Sequence, residues 1–96
     1  MKKVYIEGGQ SVTKADLHLQ IKNKMGFPDH YGQNLDALYD VLSTWDIPVE
    51  ICVLNPSKLI HNLGKYAEDF LKTIEEAGEV NWKVKLSTEE AAYEIC

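Results

Sequence analysis

The sequence alternates short strand-like segments with longer stretches of helical periodicity, and this alternation most constrains its fold. Residues 3–7 predict a strand that ends at two glycines. The run Val49–Leu54 is short, apolar and β-branched, as expected of a strand buried on both faces of a parallel sheet. Residues 82–86 alternate like a strand with one solvated face. Strands separated by helices predict an α/β fold with a three-stranded parallel sheet and about four packed helices.

Capping residues and apolar spacing place the helices. Thr13 is a suitable N-cap for a first helix over Lys14–Met25, and a second helix is expected over 35–44. A further helical region over 55–78 is broken near Gly64 and ends at a second glycine. The sequence therefore predicts one domain over 1–87, followed by a short C-terminal helix or tail over 88–96.

The termini and cysteines predict a reducing, cytoplasmic location. The basic start reaches an acidic residue at Glu7 where a signal peptide would continue its apolar stretch, and no apolar run is long enough to span a bilayer. Cys52 lies within a predicted buried strand and Cys96 is the last residue, without metal-ligand spacing between them. We therefore expect reduced thiols and assign no chemistry to either.

Negative charge is concentrated in the middle of the chain. The net charge is −5, the chain contains no arginine, and no basic residue occurs between Lys24 and Lys58. Five carboxylates occupy that interval. A nucleic-acid binder needs clustered cations to neutralise phosphates, so this distribution instead favours a positively charged protein partner. We expect neither nucleic-acid nor membrane binding.

The second predicted helix divides into two faces when it is wound at about 100° per residue. One face is apolar and is expected to be buried: Leu35, Leu38 and Leu42. The other is expected to face outward and consists of Asp36, Tyr39, Asp40 and Ser43.

Two aspartates on this outward face need an explanation. Asp36 and Asp40 are like charges four residues apart, which disfavours an isolated helix by a few tenths of a kcal/mol. Asp36 lies in the first turn, where it complements the helix dipole. Asp40 has no such structural reason, and Tyr39 beside it is an aromatic of the kind enriched at interfaces. The alternative is an ordinary solvated helix face.

Acidic residues also crowd the end of the long helical region, where the helix dipole prefers cations: Glu75, Glu76 and Glu79. A surface carboxylate there costs little, so neutral drift explains Glu75 and Glu79. The histidines His18 and His61 are expected to be ordinary polar surface residues.

An enzyme is the competing interpretation, with His30, Asp36 and Asp40 as metal ligands or as a general acid/base pair. His30 lies six positions before Asp36 across a loop, and no cationic group or activated nucleophile lies nearby. We therefore predict that the protein is not an enzyme and has no metal or cofactor.

The stretch from Phe27 to Ser43 resembles the signature of barstar-type ribonuclease inhibitors. Its most specific part is Tyr31-Gly32-x-Asn34-Leu35-Asp36-Ala37-Leu38, followed by an aromatic residue and Asp40. Asp16-Leu17-His18, Trp45, Pro48 and Glu76-Ala77 extend the resemblance up to Ser87.

The resemblance implies a barstar-like fold and an intracellular inhibitor whose second helix and preceding loop fill the active site of a basic, secreted, barnase-like ribonuclease. The family residue matching Asp40 lies where the RNA phosphate would bind. The partner-binding residues carried over by position are His30, Asn34, Asp36, Tyr39, Asp40, Ser43 and Glu76. A monomer is expected when the protein is free. The alternative is a barstar-like module that binds another cationic protein or toxin.

Three of these positions depart from the barstar pattern. His30 replaces a tyrosine, Tyr39 a tryptophan and Ser43 a threonine. Hydrogen-bonding character is mostly kept while contact area shrinks, which predicts a ribonuclease of similar design to barnase and different identity.

Overall fold

The computed structural model describes residues 1–90 and contains a three-stranded sheet with four α-helices. The strands are β1 (Lys2–Glu7), β2 (Val49–Leu54) and β3 (Val84–Glu89). The helices are α1 (Lys14–Met25), α2 (Leu35–Ser43), α3 (Pro56–Leu63) and α4 (Lys65–Val80). A short 3-10 turn, Gly8–Gln10, follows β1.

The sheet has the order β1-β2-β3 and both pairings are parallel, which confirms the predicted α/β fold. Val4 and Ile6 of β1 are buried whereas Lys3 and Tyr5 are exposed, so the helices cover one face. The expectation that β2 is buried on both faces is therefore only partly right. On its second face Cys52 is buried, but Glu50 and Leu54 on the same face are only half-buried.

The third strand differs from its predicted bounds. Trp82 lies in the turn before β3, and the strand continues through Thr88 and Glu89, which pair in register with Val53 and Leu54. The prediction that 88 and 89 begin a C-terminal helix or tail is therefore wrong, because their backbone extends the parallel ladder. The rest of the predicted tail, residues 91–96, lies outside the described residues.

The first two helices begin where their capping residues predict. Thr13 Oγ1 accepts a hydrogen bond from Asp16 N at 3.0 Å, and Asp16 Oδ2 accepts one from Thr13 N at 3.1 Å, forming a capping box. Gly26, with φ of 75°, ends α1 in the left-handed conformation that glycine favours. Asn34 Oδ1 accepts a hydrogen bond from Ala37 N at 2.7 Å and caps α2.

The predicted break at Gly64 separates α3 from α4, but the predicted end at Gly78 is wrong. Helix α4 continues to Val80. A Cβ atom at position 78 would lie 2.8 Å from the Val84 carbonyl oxygen. Glycine is therefore needed inside α4 because the helix closely approaches the start of β3, and it does not act there as a helix stop.

One apolar core lies between the sheet and the helices. Leu38 and Leu42 of α2 are fully buried in it, as predicted, whereas Leu35 is only partly buried. Helix α2 packs mainly against α4, so its opposite side remains available to solvent. Between residues 1 and 90, none of the helices is both long and apolar enough to cross a membrane.

Candidate functional site

The outward face of α2 presents two carboxylates in succession. Asp36 and Asp40 are exposed, and neither forms an ion pair with another residue in the range 1–90. Tyr39 was expected to face outward with them, but it is half-buried and packs against the core. Ser43 is also half-buried and donates a hydrogen bond to the Asp40 carbonyl at 3.1 Å. The helix thus offers unpaired negative charge beside a restrained aromatic side chain.

The loop between α1 and α2 is anchored by buried aromatic rings. The Phe27 ring lies 4.9 Å from the Tyr31 ring and 5.5 Å from the Trp45 ring, measured between centroids. Tyr31 N also donates a hydrogen bond to the Pro28 carbonyl at 3.0 Å. His30 is exposed between these anchors. The loop therefore holds His30 beside α2 on a packed support.

A buried histidine connects this loop to two helices. His18 Nδ1 lies 2.8 Å from the Tyr31 hydroxyl, and His18 Nε2 lies 2.6 Å from the Tyr66 hydroxyl. Burial lowers the pKa of His18 and raises the pKa values of Tyr31 and Tyr66. The network is therefore neutral, and it holds the loop against α1 and α4.

The expectation that His18 is a surface residue is wrong, since 1% of the residue is exposed. The position of His18 along α1 could have indicated that it is buried. His18, Ile21 and Met25 are spaced i, i+3 and i+7 along α1 and lie on the same buried stripe. A polar side chain on that stripe requires buried hydrogen-bond partners, and these come from distant positions in the sequence.

A shallow depression of about 290 Å³ joins the loop to the acidic helix face. His30 and Tyr31 line it from the loop side, and Asp40 and Val41 line it from α2. The structure thus brings His30 and Asp40 to the same concavity, although they are ten positions apart.

Asn34 and Glu76, two of the predicted partner-binding residues, lie outside this depression. The Asn34 side chain is used in the cap of α2 and also donates a hydrogen bond to the Gly32 carbonyl at 3.3 Å. Its contribution to the site is therefore to hold the start of the helix. Glu76 is exposed on α4 and does not line the depression.

The ends of α2 and α4 are joined by one side chain that the sequence did not single out. Asn81 Nδ2 donates hydrogen bonds of 2.9 Å to the carbonyl groups of Leu42 and Trp45. Leu42 lies in the last turn of α2, and Trp45 lies two positions beyond the end of the helix. Asn81 therefore fixes the orientation of the acidic face relative to α4.

Comparison with known proteins identifies the family of this chain. Residues 1–91 match the family described as "Barstar (barnase inhibitor)". The chain belongs to the barstar family. It is also 42% identical over 80 residues to the Bacillus subtilis (strain 168) protein named "Putative ribonuclease inhibitor YrdF", covering 82% of this chain and 88% of that protein. The predicted resemblance is confirmed, and membership of an inhibitor family agrees with the interpretation that the chain is not an enzyme.

The metal-site alternative lacks geometric support in this barstar-family protein. Across residues 1–90, no group of three or more histidine, cysteine, aspartate or glutamate side chains could hold a metal ion. His30 and Asp40 share the depression, but Asp36 does not line it. The candidate site is thus an exposed acidic surface on a packed scaffold.

Proposed function

We propose that this barstar-family ribonuclease inhibitor acts by covering the active site of a basic, barnase-like ribonuclease with the acidic face of α2 and the preceding loop. The observation that carries this proposal is the exposure of Asp36 and Asp40 without ion-pair partners in the described chain. Both lie on a helix that is capped at its start and tied to α4 at its end.

A ribonuclease must gather cationic groups around the scissile phosphate, because negative charge develops there in the transition state. Carboxylates on a rigid helix can satisfy those cations while offering no phosphodiester bond to cleave. The loop between α1 and α2 excludes substrate, because it covers the entrance to the enzyme's active site. Inhibition then needs no chemistry from the inhibitor.

Each predicted contact residue has a role in this arrangement. Asp40 meets the phosphate-binding cations from within the depression, and Asp36 lies one turn earlier on the same face. Tyr39 and Ser43 add packing and a hydroxyl group along the helix. His30 contacts the enzyme from the loop, Asn34 acts by holding the helix start, and Glu76 pairs with a more peripheral cation.

Charge complementarity also accelerates the encounter. The net charge of −5 and the absence of basic residues between Lys24 and Lys58 create a negative field around α2. Association with a basic enzyme should therefore be fast at low ionic strength and slow as salt screens the field.

The test measures binding to, and inhibition of, a secreted barnase-type ribonuclease by the wild-type protein and the Asp40→Ala variant. Removing one partner of a desolvated charge pair should weaken binding by at least about thirtyfold. Glu68→Ala is the matched control, because Glu68 is an exposed carboxylate in the first turn of α4. Equal affinities for Asp40→Ala and the wild type would rule out the proposed mode of binding.

A different cationic protein or toxin is the second candidate, because the exposed carboxylates of α2 indicate a cationic partner without identifying it. Affinity for a non-nuclease cationic partner that depends on Asp40, together with no inhibition of barnase-type enzymes, would support this alternative and reject the ribonuclease proposal.

A further inference from the structure

The most exposed large apolar side chains of the described chain lie at one edge of the sheet. Their exposed fractions are 74% for Trp82, 72% for Met1, 65% for Val80 and 61% for Ile47. We call these four residues the amino-edge patch. Isolated exposed apolar residues are ordinary on protein surfaces, whereas clustered ones mark interaction sites.

The parallel register brings the patch together. Lys2, Val49 and Val84 stand side by side at the start of the three strands. Neighbouring strands are about 4.8 Å apart, so the chain segments that precede these residues also lie close together. Met1 and Ile47 belong to two of these segments, and the third contains Trp82 and the end of α4.

A cavity of about 250 Å³ opens at the same edge. Ile47 lines it together with Val4, Met25 and Trp45 from three different elements and loops. The patch therefore combines projecting apolar side chains with an apolar recess, which is the usual form of a protein contact surface.

Trp82 projects from a turn that is held on both sides. Asn81 donates hydrogen bonds to the end of α2, and Lys83 Nζ lies 2.9 Å from an Asp46 carboxylate oxygen. The Lys83 carbonyl also accepts a hydrogen bond from Val49 N at 2.7 Å. An aromatic side chain on such a preorganised support loses little conformational entropy when it binds.

The amino-edge patch adjoins the acidic face. Helix α2 ends at Ser43, and two positions later Trp45 both lines the apolar cavity and packs on Phe27 of the loop. The Lys83 ammonium group is paired with Asp46 and lies 5.8 Å from the centre of the Trp82 ring, and Lys2 lines the neighbouring cavity.

The size of the patch indicates how it is used. Complete coverage of the four side chains would bury on the order of 500 Å², below the roughly 800 Å² per partner of a stable interface. A separate dimer interface would need more area. As an addition to a neighbouring interface, the patch is large enough to matter.

We propose that the amino-edge patch is an apolar extension of the ribonuclease-binding surface, with Trp82 as its anchor against an apolar area of the same basic enzyme. This inference rests on the proposed function. The two parts of the surface have different roles. The aspartates attract and orient the enzyme, and the Trp82 indole slows its release.

The test compares the Trp82→Ala variant with the wild-type protein in binding kinetics against a barnase-type ribonuclease. We expect dissociation about tenfold faster, with an unchanged association rate and salt dependence. Val12→Ser is the matched control, since Val12 is 58% exposed and follows the turn at the opposite end of β1. It should dissociate within about twofold of the wild-type rate.

A second measurement leaves the binding surface nearly intact. Fluorine NMR of protein labelled with 5-fluorotryptophan, assigned through Trp82→Phe, should show a large solvent-isotope shift at Trp82 that disappears in the complex. An unchanged Trp82 signal in the complex would overturn the proposal, and so would dissociation of Trp82→Ala at the wild-type rate.

The outcomes separate this inference from the proposed function. If Asp40→Ala weakens binding while Trp82→Ala does not, only the apolar extension is rejected. If the wild-type protein binds no barnase-type ribonuclease, both are rejected. If sedimentation shows a wild-type dimer that Trp82→Ala converts to a monomer, the patch is a self-association surface and the inference is wrong.

Discussion

Replacing His18 with leucine should measure how strongly the buried network holds the binding loop. The substitution places an apolar side chain of similar size at this buried position of α1. It removes the contacts to two tyrosine hydroxyls, 2.8 and 2.6 Å away. The Tyr31 hydroxyl would be left buried without a partner, which costs about 1–3 kcal/mol. The half-buried Tyr66 can turn toward water, so its lost hydrogen bond costs about 1 kcal/mol.

We therefore expect the free energy of unfolding to fall by about 2–4 kcal/mol, a large share of the roughly 5–15 kcal/mol typical of a domain. Urea denaturation at pH 7.5 measures this change. The His61→Leu variant is the control, because His61 is exposed on α3 and should alter stability little. A double-mutant cycle with Tyr31→Phe then isolates the coupling between the two partners.

The same network predicts a pH dependence with a definite sign. Burial lowers the pKa of His18 in the folded protein, whereas the unfolded chain titrates near pH 6.5. Above that pH both states are neutral at His18 and its contribution is fully present. Below it the unfolded chain binds the proton first, so stability falls by up to about 1.4 kcal/mol per pH unit until the folded pKa is reached.

The stability gap between the wild type and His18→Leu should consequently narrow between pH 7.5 and pH 5. Taking the difference between the two proteins cancels the carboxylates, which titrate in both. A gap that stays constant over this range, or widens toward acid, would refute the assignment of a buried neutral histidine.

Two further substitutions test the packing that supports the site. Gly78→Ala should destabilise the protein by about 1–3 kcal/mol despite the better helix propensity of alanine, because its Cβ would approach the Val84 carbonyl oxygen to 2.8 Å. Thermal unfolding measures this, and a higher melting temperature would contradict it. Asn81→Ala should cost about 1–3 kcal/mol, because the Leu42 and Trp45 carbonyl groups lose the hydrogen bonds that Asn81 donates. Hydrogen exchange should then accelerate at the end of α2, while unchanged protection there would show that Asn81 does not hold it.

The bounds of α1 and β2 could be predicted because their signals are local. The Thr13 capping box and Gly26 lie within one turn of the helix ends, where backbone groups need partners. The run Val49–Leu54 combines β-branched residues with a flanking proline and asparagine. Such features act over a few residues, so they can be recognised without knowledge of the rest of the fold.

The acidic helix face was equally accessible to sequence reasoning. Winding residues at helical spacing separates Asp36 and Asp40 from Leu38 and Leu42, and the structure exposes the first pair and buries the second. The same method placed Leu35 on the buried side with Leu38 and Leu42, and the structure buries it only partly.

Spacing between near neighbours is enough to predict the element order, the helix caps and the side of α2 that carries negative charge. The roles of His18, Gly78 and Trp82 depend on contacts that form only in the folded protein. His18 needs two hydroxyl groups from positions 13 and 48 residues away, and Gly78 is required by a strand that packs on its helix. Trp82 joins an apolar patch only because the parallel register aligns three chain segments. Hydrogen bonds, close approaches and surfaces of this kind are set by partners brought together on folding, which no local pattern contains.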